Sequence, residues 1–194
     1  MNGKKILFLG YGCEETKIIE ATANIGYEVS HTTEKLIGNF DFDLIVSFGY
    51  RHILRPVQLA KISCPIINLH MSLLPWNRGA HPNFWSFFDE TPAGVTIHLV
   101  DEGLDTGPIL LQQLVQFRPD ENTFDTTYQR LISELETLFL DNLNAIIDQI
   151  IEPIDVAGVG SFHRRSDLPA EFLGWASNVT NEVKRLKSAK EEPL

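Results

Sequence analysis

Asn68 and His70 stand two residues apart. On an extended chain that spacing turns both side chains to the same side. The amide is a hydrogen-bond donor, and the imidazole titrates near neutral pH. Two other stretches place polar groups where strands end, Gly49-Tyr50-Arg51-His52 and Asp101 to Asp105. In an open parallel sheet a ligand lies beyond the carboxyl ends of the strands, so these three segments are expected to meet in one cleft. An amide, a titratable ring and a carboxylate meeting there could stabilise a developing oxyanion and accept a proton.

The segments before them explain the placement. Lys5 to Leu9 is a short apolar run closed by Gly10 and Gly12, which reads as a buried strand and a turn. Ile18 to Ile25 suits a short helix stopped by Gly26, and Tyr27 to His31 a second strand. Asp43 to Phe48 and Pro65 to Leu69 are two more buried strands. Strands alternating with helical segments indicate a parallel sheet covered on both faces. Gly94 to Val100 and Ile109 to Phe117 alternate and are expected to extend that sheet, with the turn-rich stretch Asp101 to Pro108 between them. Apolar residues then recur at helical spacing from about 123 to 150, with Asn122 as the expected N-cap and Asp125 in the first turn. Such a helix would run about 40 Å, enough to cross the sheet. A short helix is expected from Pro169. The polar end, Lys187 to Leu194, reads as unstructured. The fold class is α/β: a Rossmann-like, mostly parallel sheet with helices on both faces, extended by a C-terminal segment. The expected division is a catalytic domain over residues 1–150 and an extension over 151–194.

Bulk properties narrow the function. A chain of 194 residues hides roughly 70% of its unfolded surface on folding, so it needs neither disulfide nor metal to hold a core. The net charge of −10 opposes a phosphate backbone and leaves a small phosphorylated substrate open, since that needs few cations. Cys13 and Cys64 share no metal-ligand spacing and read as two buried free thiols in a reducing compartment. The apolar run after Lys4-Lys5 is too short for a signal peptide, and no stretch has the ~20 apolar residues of a membrane span. The expectation is a cytoplasmic enzyme with no metal, no nucleic-acid partner and no membrane association.

Asn68-Leu69-His70-Met71-Ser72-Leu73-Leu74-Pro75, Arg78-Gly79, Gly94-Val95-Thr96-Ile97-His98 and Asp105-Thr106-Gly107, in this order and spacing, resemble the 10-formyltetrahydrofolate-dependent formyltransferase family. The general organisation is similar from about residue 4 to 150. Met71 stands where the family usually has proline, which bears on loop stiffness. The resemblance implies Asn68, His70 and Asp105 as the catalytic trio, with His98 supporting the aspartate. It implies 10-formyltetrahydrofolate as formyl donor, held by Phe48, Gly49, Tyr50, Arg51, Ile53 and Leu54 on one side. On the other side it implies Val100, Asp101, Glu102 and Gly103. The physics agrees: attack on the formyl carbon puts negative charge on its oxygen, and a preorganised donor there is worth about 2.7–4 kcal/mol. On this reading Asn68 and His70 donate to that oxygen. Asp105 keeps the imidazole charged and receives the amine's proton.

The acceptor follows from finer matches. Pro75 to Phe87, Thr91 to His98 and Ser161 to Asp167 are similar to the sugar N-formyltransferases, which act on nucleotide-linked amino sugars. Trp76, Asn83 and Trp85 are then candidate substrate contacts, and Arg78 a candidate for a diphosphate. Alternatives are glycinamide ribonucleotide formyltransferase, methionyl-tRNA formyltransferase and a 10-formyltetrahydrofolate hydrolase. Glu14 and Glu15 weaken the first, because they crowd the expected phosphate end of a helix. The second usually adds a basic C-terminal β-barrel, and the third an N-terminal domain. The resemblance also allows a homodimer.

Overall fold

The computed structural model describes residues 3–38 and 41–191. Six strands form the main sheet: β1 (Lys5–Gly10), β2 (Glu28–Thr32), β3 (Leu44–Phe48), β4 (Ile66–His70), β6 (Gly94–Leu99) and β7 (Ile109–Leu114), in the order β2-β1-β3-β4-β6-β7. The strands from β2 through β4 are parallel, whereas β6 and β7 are antiparallel to their neighbours. Two-residue alternation sorts the central strands between two cores. Ile6, Phe8, Leu44, Val46, Ile67 and Leu69 face one side, and Leu7, Leu9, Ile45 and Ile66 face the other. Helix α1 (Ile18–Asn24) and helices α4 (Phe124–Asp141) and α5 (Leu143–Ile147) cover the first face. Leu59 of helix α2 (Pro56–Leu59) covers part of the second.

The long helix expected over 123–150 is two helices. Asn142, at φ −113° and ψ 7°, breaks it, and its side-chain amide donates back to the Leu138 carbonyl at 2.9 Å. The N-cap is Thr123 rather than Asn122. Its hydroxyl accepts from Thr126 N at 3.2 Å, while Thr126 Oγ1 accepts from Thr123 N at 3.0 Å. The carbonyl of Asn122 instead takes the N–H of Val179.

The C-terminal segment is tied into the body. Residues 78–79 (β5) and 162–163 (β8) pair in parallel as a small second sheet that periodicity could not show. The helix expected from Pro169 lies further on, as α6 (Val179–Glu191). Val179 and Leu186 pack there with Phe124 and with Phe84, Trp85 and Phe88 of α3 (Pro82–Phe88) in a third core. The stretch expected to be unstructured is therefore helical as far as Glu191, and Glu192 to Leu194 lie outside the described residues. Neither cysteine is buried: Cys13 is exposed and Cys64 half-buried. No described helix is long and apolar enough to cross a membrane.

Candidate active site

Strand β4 ends in Asn68-Leu69-His70, and the antiparallel register sets Asn68 opposite His98 of β6. Asn68, His70 and His98 are thereby held on adjacent strands rather than on loops. The chain then turns through Asp101 to Pro108 and returns as β7. The turn is tight: a Cβ on Gly107 would lie 1.9 Å from the Leu99 carbonyl oxygen. Asp105 sits in it at φ 53°, a left-handed conformation that aspartate tolerates better than most residues. Its carboxylate is thrown back over the strand ends.

Oδ1 of Asp105 accepts from Asn68 Nδ2 at 3.1 Å and lies 3.5 Å from His98 Nε2. Oδ2 accepts the Gly79 N–H at 2.8 Å and lies 3.7 Å from His70 Nδ1. The other ring nitrogens fix the tautomers. His70 Nε2 donates to the Asn77 carbonyl at 3.1 Å, and His98 Nδ1 to the Leu99 carbonyl at 2.8 Å. Asn68 Nδ2 also faces His98 Nε2 at 3.2 Å. The amide that was expected to address an oxyanion is thus turned toward the carboxylate.

The protonation states depart from the expected ones. Burial drives the His70 pKa below its ordinary 6.5, and the Asp105 charge opposes this without reversing it. Burial also acts to raise the Asp105 pKa, but His70, His98 and the Gly79 N–H together hold it well below the usual carboxylate range. The Gly79 and Asn68 donors address the carboxylate whatever the charge on His70, so its direction stands. At neutral pH the pair is a carboxylate beside a neutral imidazole whose bare Nδ1 faces it. The expected resting imidazolium is not what this environment favours.

A second set of contacts holds the trio from the side of β5 and β8. Ser161 Oγ accepts from Asn77 N at 2.8 Å and donates to Asn77 Oδ1 at 3.0 Å. Asn77 is fully buried at φ 56°, and its carbonyl is the one that takes His70 Nε2–H. Gly79, at φ +89°, is packed so closely that a Cβ would come 2.3 Å from the His163 carbonyl oxygen. Ser161 and β8 therefore position His70 and Asp105 through the residues flanking Arg78.

Around these groups lies a cleft of about 610 Å³. Gly49, Tyr50, Arg51, Ile53, Leu54, Val100, Asp101 and Gly103 line it, and so does Leu104. Ile53 is 72% exposed and Leu104 43% exposed, so large apolar side chains stand open at the cleft. Phe48 does not line it: the ring is buried in the core and packs edge-on against Tyr11. Glu102 is exposed on the loop but outside the lining.

The expected substrate contacts are corrected more heavily. Trp85 is 4% exposed and stacks flat on the His163 ring at 3.9 Å, so it supports the wall from behind. Asn83 is buried and donates to the Phe124 carbonyl and to Thr127 Oγ1, at 2.9 and 3.1 Å, which ties α3 to α4. Trp76 is half-buried away from the cleft. Arg78 does not line it either, and its Nε is buried without a hydrogen-bond partner among the described residues. Gly79, Ala80 and Phe162 to Arg165 line the cleft instead. The resemblance marks Ser161 to Asp167, but sequence reasoning missed their pairing with Arg78-Gly79 because β5 and β8 have two residues each and are separated by more than eighty positions. The usable signal was Arg78-Gly79 directly after the Pro75 turn, which marks a close backbone approach.

A family model described as "Formyl transferase" matches residues 16–143, more than half of the chain. By sequence, the chain is 37% identical over 116 residues to methionyl-tRNA formyltransferase of Thermodesulfovibrio yellowstonii, covering 59% of this chain and 37% of that protein. It is 33% identical over 142 residues to the enzyme of the same name from Clostridium botulinum, covering 73% and 45%. The chain thus spans less than half the length of these curated relatives. By structure, it is similar to the formyltransferase PseJ from Anoxybacillus kamchatkensis, with a TM-score of 0.80 and 36% identity, covering 91% of this chain and 96% of that one. That protein was solved in complex with UDP-4,6-dideoxy-4-formamido-L-AltNAc and tetrahydrofolate.

Proposed function

We propose that this chain, which belongs to the formyl transferase family, moves a formyl group from 10-formyltetrahydrofolate to the amine of a nucleotide-linked amino sugar. The observation that carries the reading is the meeting of Asn68, His70 and Asp105 at the foot of a cleft with two unlike walls. One wall is apolar, with Ile53, Leu54, Val100 and Leu104 beside the open backbone of Gly49 and Gly103. It suits a flat fused ring that backbone groups can read at its edge. The opposite wall, β5 and β8, faces the same carboxylate and is where an acceptor would lie.

The roles follow from the protonation states. The acceptor amine must be neutral to attack. Its nitrogen bonds to the formyl carbon, and a proton leaves that nitrogen for the Asp105 carboxylate or the bare Nδ1 of His70. Protonated at Nδ1, His70 becomes a cationic donor at the moment the formyl oxygen gains charge. Asn68 supplies the second donor once its amide turns from Asp105 to that oxygen. The proton then passes to the folate nitrogen as its bond to the formyl carbon breaks, giving a formamide and tetrahydrofolate. The bare Nε2 of His98 accepts from the Asn68 amide at 3.2 Å, and Asn68 in turn holds Asp105.

The acceptor reading leans on the likeness to the PseJ protein over nearly its whole length. Methionyl-tRNA is the second reading, favoured by the names of the sequence relatives, which the chain matches over part of their length. One assay separates them. The purified protein with 10-formyltetrahydrofolate is offered UDP- and dTDP-linked amino sugars, glycinamide ribonucleotide, methionyl-tRNA, or no amine. Tetrahydrofolate production that requires an amino sugar is expected. Production that requires methionyl-tRNA or glycinamide ribonucleotide, or that proceeds with water alone, would replace this reading.

A further inference from the structure

The foot of the cleft carries a backbone donor that the fold leaves without a partner. In β4 the even-numbered residues bond toward β6. The Ile66 carbonyl accepts the Val100 N–H at 2.8 Å, and Asn68 and His70 continue that antiparallel register opposite His98 and Thr96. The odd-numbered residues bond toward β3, as the Pro65 carbonyl does in accepting the Ile45 N–H at 3.0 Å. A trans peptide sets its N–H opposite the preceding carbonyl. With the His70 carbonyl on the β6 side, the Met71 N–H points to the β3 side, into the crevice between the ends of β3 and β4.

Strand β3 does not follow it there. Its pairing with β4 ends at Ser47 and Asn68. Gly49 then turns at φ +66°, packed so that a Cβ on it would lie 2.4 Å from the Tyr11 ring, and the Tyr11 N–H takes the Phe48 carbonyl at 2.8 Å. In the running register the Gly49 carbonyl would be the next acceptor for β4, and this turn removes it from the ladder. The Met71 N–H consequently has no hydrogen-bond partner among the described residues. Met71 is half-buried and lines the cleft beside Asn68 and His70. An amide donor in such a place costs free energy until something accepts from it. Proline, which usually stands here in the family, has no N–H, so the donor comes with the methionine.

The side of the cleft decides what the donor meets. The Met71 side chain packs on the first core together with Tyr11 and Tyr128, whereas Tyr50, Leu54 and Val100 of the opposite end pack on the second. The donor is therefore on the other side of the sheet from the apolar wall proposed for the folate. It follows His70 directly, so it stands next to the place where the acceptor amine must come.

We propose that the Met71 N–H selects the acceptor by donating to a hydroxyl on the ring carbon beside its amine. This rests on the amino-sugar reading and adds a contact that would choose among such sugars.

The chain has two methionines, Met1 and Met71, so ¹⁵N-methionine labelling leaves few amide signals, and loss of one in Met71→Ala identifies Met71. The probes are dTDP- and UDP-linked 3-amino and 4-amino 6-deoxyhexoses, with analogues carrying hydrogen in place of each neighbouring hydroxyl. One of the hydroxyl sugars is expected to move the Met71 amide signal downfield and to slow its exchange with water about 10-fold or more. Its deoxy analogue and tetrahydrofolate alone should not. Met71→Pro should fold, because His70 is already extended, as a residue before proline must be, and the N–H it removes has no partner. In kcat/KM the parent and Met71→Ala should prefer the hydroxyl sugar to its deoxy analogue about 3- to 10-fold, and Met71→Pro should show no preference. A merely structural effect of proline would slow both sugars equally and leave the preference intact, which overturns the proposal. So does a Met71 amide that is protected in the free protein, that no amino sugar alters, or that answers to tetrahydrofolate alone. The two readings fail separately: formyl transfer to an amino sugar with the Met71 amide unmoved ends this inference alone. A Met71 amide that answers to the hydroxyl, in a protein that transfers formyl to no amine, ends the other.

Discussion

Replacing Asp105 with asparagine changes a charge while nearly preserving a shape. The native carboxylate accepts from Gly79 N at 2.8 Å and Asn68 Nδ2 at 3.1 Å, one oxygen to each, with its side chain 10% exposed. An amide can accept on one oxygen only, so its NH2 must confront either the Gly79 N–H or the Asn68 amide. One buried donor is left unpaired, at a cost of about 1–3 kcal/mol. For a protein of this size, each kcal/mol lowers the thermal midpoint by roughly 2–4 °C. The chemical loss should be larger. Asparagine cannot take the amine's proton, and His70 loses the negative neighbour that favours its protonated form during the reaction. Removal of a positioned general base is worth about 10²- to 10⁴-fold in rate. Asp105→Asn should therefore cut turnover by that factor, lower the midpoint by a few degrees, and leave tetrahydrofolate affinity within a small factor of the parent. Tetrahydrofolate production under saturating substrates, a thermal melt and a folate titration read these three quantities. Turnover within a few-fold of the parent, with the melt shifted as stated, would refute the proton-transfer role.

Other perturbations separate chemistry from support. His70→Asn should lower turnover by roughly 100-fold or more while folate binding persists; equal loss of both would mean a structural role. Because burial lowers the folded-state pKa of His70, the unfolded chain takes up a proton below about pH 6.5 before the folded one does. Stability must then fall as the pH drops from 6.5 toward the depressed value. Urea midpoints at pH 7.5 and 5.5 should differ less in His70→Asn than in the parent. Ser161→Ala removes both contacts to Asn77 and should cost about 1–3 kcal/mol, with a fall in kcat at unchanged folate affinity; an unaltered kcat would sever β8 from the trio. Asn83→Ala should destabilise by a similar amount, since Asn83 joins α3 to α4, without altering KM for either substrate, as steady-state kinetics can check.

The sheet and the trio were legible because they obey local rules. Ile6 to Leu9 and Leu44 to Val46 are unbroken apolar runs, as a strand buried on both faces requires. Asn68 and His70 show themselves by two-residue spacing at a strand end. What escaped depends on distant partners. Asn142 breaks the long helix through a side-chain bond to the backbone, while the apolar period continues across it. Trp85 and Asn83 carry the residue types of a sugar site, yet an amphipathic turn of helix hides them in the core, and only burial distinguishes the two uses. The pairing of Arg78-Gly79 with Phe162-His163 brings Arg164 and Arg165 to the cleft by two ladder positions that have no periodicity to detect. His70 has a neutral resting state because it is buried, and burial is a property of the packed chain rather than of the motif.

The most direct test of formyl transfer at this site follows the reacting carbon itself. Protein is mixed in excess with 10-formyltetrahydrofolate carrying ¹³C in the formyl group and an amino-sugar nucleotide, and the label is followed by NMR over a single turnover. The account predicts that the ¹³C appears as a formamide on the sugar nitrogen in step with tetrahydrofolate, and that Asp105→Asn slows its appearance by the factor given above. Label released as free formate while the sugar amine stays unlabelled, or an equal rate in the variant, would contradict it.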